Sequence, residues 1–279
     1  MFNGLSCSNV AYADDATIYI IVPKPADRLT AATCLSKDLL HIKTWCAQWG
    51  MDLNPSKTKS MIFSRSRTAL PQHPDLYLGD SLIEDAAKLK LLGILFDPKL
   101  TFELHVKAVT KLVSQKLGIM RKCWQSYRDN SVVLKCFYSY ILPFFEYCSV
   151  VWLSAAPTHL HSLERVFASA RFIAPSNIKL DHRRNVAGCC LLFKILGNPD
   201  HPMHSRLPRP ADHARRTRRA ERMNNRARMS ALSRNSSQFN RSFLPHIIEI
   251  WNFLPQAVVD SPNVDHFKRL VNRHLLMEN

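Results

Sequence analysis

The sequence predicts an α+β chain: a small antiparallel sheet with one packed helix, then an α-helical bundle, then a basic, partly disordered C-terminal region. Three observations carry this reading. Short β-favouring runs bounded by Gly, Asn, Asp and Pro fill residues 1–98, and apolar residues recur at helical spacing through 99–197. Prolines and arginines then displace apolar residues across 198–242, before a small segment of globular texture at 243–279. With 279 residues, 46% hydrophobic and 22% charged, the chain can bury a substantial core as one large or two small domains. A net charge of +16 and a pI near 9.7 select a polyanionic partner, nucleic acid first and an anionic membrane surface second.

Taken in order, the first element is a hairpin. Val10 and Ala11 lead into Tyr12-Ala13-Asp14-Asp15, and Thr17-Ile18-Tyr19-Ile20-Ile21-Val22 leads away, so two adjacent carboxylates fall where two strands meet. Paired acidic groups at a hairpin tip suit a hard divalent cation, which relieves their mutual repulsion. A solvated turn explains the same two aspartates, because Asp favours turns for local reasons. Leu29, Leu35, Leu39, Leu40, Ile42, Trp45 and Trp49 then recur at helical spacing over 27–50, and Gly50 stops that helix. Asn54-Pro55-Ser56 is a turn cluster, and Ser60-Met61-Ile62-Phe63 reads as a strand returning to the sheet. A further strand pair is expected at Leu76-Tyr77-Leu78, turning at Gly79-Asp80, with 89–96 folding around Gly93.

The middle region is predicted helical almost throughout: from Thr101 as a cap to about Cys123, from Ser131 to a kink or stop at Pro143, from Thr158, and from Arg183 to Leu196 before Gly197. The apolar stretch 136–157 is interrupted by Ser139, Pro143, Glu146, Ser149 and Ser154, which favours a buried helix over a membrane span. The third region opens on Pro199, Pro202, Pro208 and Pro210 and carries Arg215, Arg216, Arg218, Arg219, Arg222, Arg226 and Arg228. That composition suits phosphate contact, and equally a solvated linker or a nuclear localisation signal. A short helix over 264–277 closes the chain. Eight scattered cysteines without a CxxC pair read as reduced thiols, and His159, His161, His201 and His204 lack the cysteines of a zinc site.

These motifs, in this order, resemble the C-terminal half of a non-LTR (LINE-type) retrotransposon reverse transcriptase. The resemblance runs through Tyr12-Ala13-Asp14-Asp15, then 49–63 with Asn54, Lys57 and Thr58, then Leu92-Gly93-Ile94 with Asp97 and Leu100. It continues through Tyr138, Pro143, Glu146-Tyr147 and Val151-Trp152 to Arg241-Ser242-Phe243, Trp251-Asn252-Phe253-Leu254-Pro255 and Phe267-Lys268. It implies a partial polymerase palm at 1–98, a helical thumb and connection region at 99–197, a basic linker at 198–242 and a small C-terminal segment at 243–279. Asp14 would then be a direct ligand of catalytic Mg²⁺ with Asp15 in support, and Tyr12 and Ala13 would line the nucleotide and primer end. Lys57, with Lys59 as competitor, would assist pyrophosphate departure. Gly93 would let backbone approach the primer, or serve only as a bulge or turn. The implied partners are an RNA template and a DNA primer, and the implied workplace is the nucleus.

The resemblance also carries an expectation of incompleteness. The palm strand with the other catalytic aspartate, the nucleotide-checking motif and the fingers would precede Met1, and Asp27 and Asp38 sit on or beside the predicted helix, where they cannot replace it. The chain alone is therefore expected to hold Mg²⁺ weakly, to lack polymerase activity, and to expose an apolar strand edge near Val10 and 18–22.

Overall fold

Local signals determine each element, and packing decides how many of them join. A computed structural model describes residues 3–23, 27–64, 74–127, 130–172, 179–210, 229–232 and 234–277. They fall into two compact units, Met1–Leu100 and Thr101–Asn279, each with its own core.

In the first unit, β1 (Ser8–Tyr12) and β2 (Asp15–Tyr19) form an antiparallel hairpin whose register pairs Tyr12 with Asp15. Helix α1 (Arg28–Gln48) follows, close to the helix the periodicity predicts. β3 (Lys59–Ser60) pairs with β6 (Glu84–Asp85), β4 (Tyr77–Leu78) with β5 (Ser81–Leu82), and β7 (Leu89–Leu91) with β8 (Ile94–Phe96). The β4–β5 and β7–β8 hairpins turn where Gly79-Asp80 and Gly93 predict. The expected single antiparallel sheet is instead a set of two-stranded ribbons, one of them parallel. Strands of two to five residues each pair with one neighbour and offer little length for a third partner. Of the returning strand predicted at Ser60-Met61-Ile62-Phe63 only Ser60 is paired, together with Lys59 before it; Met61, Ile62 and Phe63 are not in a strand.

The apolar positions of α1 divide. Ala32, with Leu35 and Leu39 beside it, packs on Leu76, Leu78 and Ile83 of the β4–β5 region. Ala31, Ile42 and Cys46 are buried as well, but Leu29, Leu40 and Trp49 point to solvent. A carboxylate, Asp38, occupies the buried stripe of Ala31, Ile42 and Cys46 at helical spacing.

The second unit is helical, beginning with α2 (Glu103–Tyr127) and α3 (Asn130–Cys136). A π turn (Phe137–Ile141) leads from α3 into α4 (Leu142–Glu146). The Leu142 N–H donates five residues back to the Phe137 carbonyl, so the helix absorbs Pro143 by widening one turn before it. The helix stops at Glu146, and 147–156 is a run of turns in place of the continuous buried helix expected there. Trp152 from this run is buried and donates from its indole to the Tyr147 carbonyl at 3.1 Å.

Next come α5 (Pro157–Ala168) and α6 (Leu180–Leu196). Both Glu164 oxygens accept from the Leu180 N–H at 3.0 and 3.2 Å, which caps α6 with a charge complementary to its dipole. Glu164 also lies 3.8 Å from the buried Arg184 guanidinium, which is bonded to Asp181 and sits 5.6 Å over the Trp152 ring.

The C-terminal helices are α7 (Ser237–Asn240), α8 (Phe243–Phe253), α9 (Gln256–Val259) and α10 (Val264–Met277), the last with the bounds the sequence predicts. α6, α8 and α10 share one core of Val186, Leu192, Ile247, Trp251, Phe267 and their neighbours. The Trp251-Asn252-Phe253-Leu254-Pro255 motif has a physical account. Trp251 and Leu254 fill that core, and Pro255 stands at the N-cap of α9. The Asn252 amide both donates to and accepts from the Met229 backbone at 2.9 Å. Among the described residues no helix is long and apolar enough to cross a membrane, and all eight cysteines are free.

Candidate metal centre

The two acidic residues singled out in the sequence lie at the tip of the β1–β2 hairpin. Pairing of Tyr12 with Asp15 leaves Ala13 and Asp14 as a two-residue loop, and Ala13 has φ +52°. Hairpin turns that match strand twist demand positive φ at this first position, where glycine or asparagine is the inexpensive choice. An alanine held there stores about 1 kcal/mol of backbone strain. Asp14 and Asp15 are both exposed. By strand alternation Asp15 shares a face with Tyr12, Val10 and Tyr19, all exposed, while Asn9 and Ile18 of the opposite face are half-buried.

This arrangement gives a hard cation two carboxylates with open solvent beyond them. That fits a weakly held Mg²⁺, which takes one or two carboxylates and completes its shell with water or phosphate oxygens. It does not complete a two-metal site: among the described residues no group of three His, Cys, Asp or Glu side chains converges.

The other sequence-predicted residues separate by element. Lys57 lies in the turn that Asn54 organises: the Asn54 Oδ1 accepts from the Ser56 hydroxyl at 2.7 Å and the Lys57 N–H at 3.2 Å, and its carbonyl accepts from the Thr58 hydroxyl at 2.9 Å. The Lys57 side chain is exposed. Lys59, its competitor, is paired with Glu84 across β3 and β6, which leaves Lys57 the freer cation. Gly93 forms the β7–β8 turn with Leu92, at φ +83° and +46° respectively. Two consecutive positive φ values are the signature of a tight hairpin turn and give the backbone reason for glycine there. Arg215, Arg216, Arg218, Arg219, Arg222, Arg226 and Arg228 lie outside the described residues.

Asp38 is the residue that sequence reasoning undervalued. It is 3% exposed, and its two carboxylate oxygens accept from the Ser6 N–H at 3.0 Å and the Cys7 N–H at 2.7 Å, immediately before β1. Burial alone would raise its pKa; the two backbone N–H bonds, the Cys7 thiol and nearby His41 outweigh that and hold it below the usual carboxylate range. Burial and then the Asp38 charge push the Cys7 thiol up to about 12, so it stays protonated and donates to the carboxylate. The signal was present in the sequence as a charged residue in register with Ala31 and Ile42 on a buried helix stripe.

Comparison with known proteins adds an independent line. The chain is 28% identical over 156 residues to the RNA-directed DNA polymerase from mobile element jockey of Drosophila melanogaster, covering 54% of this chain and 16% of that protein. It is 27% identical over 138 residues to the probable RNA-directed DNA polymerase from transposon BS of the same species, covering 48% of this chain and 15% of that protein. The probable RNA-directed DNA polymerase from transposon X-element, also from that species, matches at 23% over 126 residues, 44% of this chain and 13% of that protein. The chain thus spans about a sixth of the length of the curated relatives it matches. No family model and no solved structure matches it. The resemblance drawn from the motifs and the similarity to these mobile-element polymerases coincide.

Proposed function

We propose that this chain is a reverse transcriptase fragment of a non-LTR retrotransposon, carrying the acidic hairpin of an RNA-directed DNA polymerase. The observation that carries the reading is the Tyr12-Ala13-Asp14-Asp15 hairpin, with Asp14 exposed on a strained two-residue turn and Asp15 exposed at the start of β2, in a chain similar to mobile-element polymerases. Asp14 would hold Mg²⁺ with Asp15 in support, and the ion when bound would supply charge stabilisation for nucleotidyl transfer in a two-metal site of the intact enzyme. Tyr12 and Ala13 would face the incoming nucleotide and primer end. Lys57 would stand near departing pyrophosphate, and Gly93 would let backbone approach the primer. Residues 1–98 would act as part of the palm and 99–197 as thumb and connection.

Two carboxylates do not make that site, and among the described residues no third ligand joins them, so this chain by itself is expected to synthesise no DNA. A primer-extension assay on an RNA template, run with the chain and with Asp14→Asn, tests this. Synthesis that Asp14→Asn abolishes would overturn the inactivity, and the absence of synthesis in both is the expected result.

A second reading, a non-catalytic nucleic-acid-binding remnant, is favoured by the net charge of +16 and by α2, which carries Lys107, Lys111, Lys116, Arg121 and Lys122 and a single acid, Glu103. Its mark is affinity for RNA or DNA that falls steeply with salt and is unchanged by Asp14→Asn.

A further inference from the structure

We propose that Asp38 is a positioning residue for the acidic hairpin: buried on α1, it clamps the backbone that enters β1 and so fixes the hairpin whose tip carries Asp14 and Asp15. The inference rests on the metal-binding reading of that tip.

The geometry has three parts. The two Asp38 oxygens are divided between consecutive N–H groups, Ser6 at 3.0 Å and Cys7 at 2.7 Å, so the contact fixes the direction of the chain as well as its position. Ser8, the next residue, begins β1 and pairs with Tyr19 at the base of the hairpin. The β1–β2 ribbon has no third strand among the described residues. A two-stranded ribbon is marginal by itself, so its orientation depends on what holds its base. A charged acceptor bonding two backbone N–H groups, the Cys7 one buried and the Ser6 one part-buried, is a strong local anchor. It also satisfies donors that would otherwise be buried at Cys7, which is 5% exposed. An anchor at Ser6 and Cys7 holds the base of the ribbon and so favours the formed hairpin, and only the formed hairpin fixes Asp14 and Asp15 at one tip where both can reach a cation.

The test uses the full chain, with hydrogen exchange on assigned amides and titration with Mn²⁺ alone, followed by water proton relaxation, at a temperature well below melting. Asp14→Asn identifies the signal from the hairpin tip. Asp38→Ala removes both acceptors, and Asp38→Asn keeps one carbonyl acceptor at nearly constant volume. The expected result is exchange from the β1–β2 amides faster by about tenfold or more in Asp38→Ala. Asp38→Asn is expected to be intermediate, amides of α6 and α8 unchanged, and Mn²⁺ affinity weakened in the same order. Unchanged hairpin exchange would overturn the clamp. Faster exchange with unchanged Mn²⁺ affinity would reduce Asp38 to a purely structural contact and overturn the positioning role. Wild-type chain that binds no Mn²⁺, or binds it equally well after Asp14→Asn, would instead sink the metal reading of the hairpin, and with it the positioning role; the exchange data would still report whether the clamp exists.

Discussion

Aspartates at three places in the first unit, Asp14, Asp15 and Asp38, show how environment assigns different work to one side chain. Asp14 is exposed on a turn and Asp15 exposed at the start of β2, while Asp38 is buried and bonded by two N–H groups. The lowered pKa of Asp38 has a thermodynamic consequence with a definite sign. A carboxyl whose folded pKa lies below its unfolded value, about 3.9, contributes stability above that value and loses it as pH falls toward the folded pKa. The groups facing it, the Cys7 thiol and His41, do not reverse this: the thiol is protonated at every relevant pH, and a protonated His41 favours the ionised Asp38. Asp38→Asn is therefore expected to cost about 1–3 kcal/mol at neutral pH. The gap from wild type should close as pH drops below about 4. Denaturant unfolding of both proteins across pH, followed by a probe in residues 1–100, reads this directly. A gap that persisted undiminished at low pH would show that the carboxylate charge is not the source.

At the scale of elements, the helices of the second unit are held by close approach as much as by apolar area. Gly188 on α6 faces α8 so closely that a Cβ there would sit 2.4 Å from Cδ1 and 2.7 Å from Cγ1 of Ile247, a residue buried in the core. Helix propensity alone would favour alanine at this position by about 1 kcal/mol. Packing overrides it, since overfilling a close-packed core costs about 1–3 kcal/mol. Gly188→Ala is expected to lower the melting temperature of residues 101–279. The pair Gly188→Ala with Ile247→Val should recover part of the loss in a double-mutant cycle. A stabilised Gly188→Ala would mean that α6 and α8 can separate without penalty. The turn around Pro143 makes the complementary point: the sequence located the disturbance, and packing of Phe137 and Ile141 into the core resolved it as a widened turn in place of a break.

At the scale of the molecule, the first unit leaves apolar side chains exposed. Val10 and Tyr12 are 60% and 68% exposed on a ribbon with no third strand among the described residues, and Ile21 just beyond it is 66% exposed. Unpaired strand edges of this kind template association. Val10→Lys is expected to reduce concentration-dependent light scattering while leaving the helical circular dichroism signal unchanged; scattering unaffected by that change would locate the association elsewhere. How far each level could be read depended on the range of the interaction that sets it. The hairpin at Tyr12, α1, the turns at Gly79 and Gly93, and α10 were legible because capping, periodicity and turn chemistry act within a few residues. Residue composition likewise gave the basic character, a net charge of +16. The buried role of Asp38, the split of the α1 apolar positions between core and solvent, the separate ribbons in place of one sheet, and the common core of α6, α8 and α10 were not legible. Each depends on groups brought together from distant parts of the chain. Asp38 meets Ser6 and Cys7 across about thirty residues, and Asn252 meets Met229 across 23. The sequence by itself determined which residues are candidates for chemistry and, for the hairpin, α1, the glycine turns and α10, where local elements lie. The tertiary structure decided which of those residues are buried, because burial is a property of the partner surface, and no pattern along the chain specifies that surface.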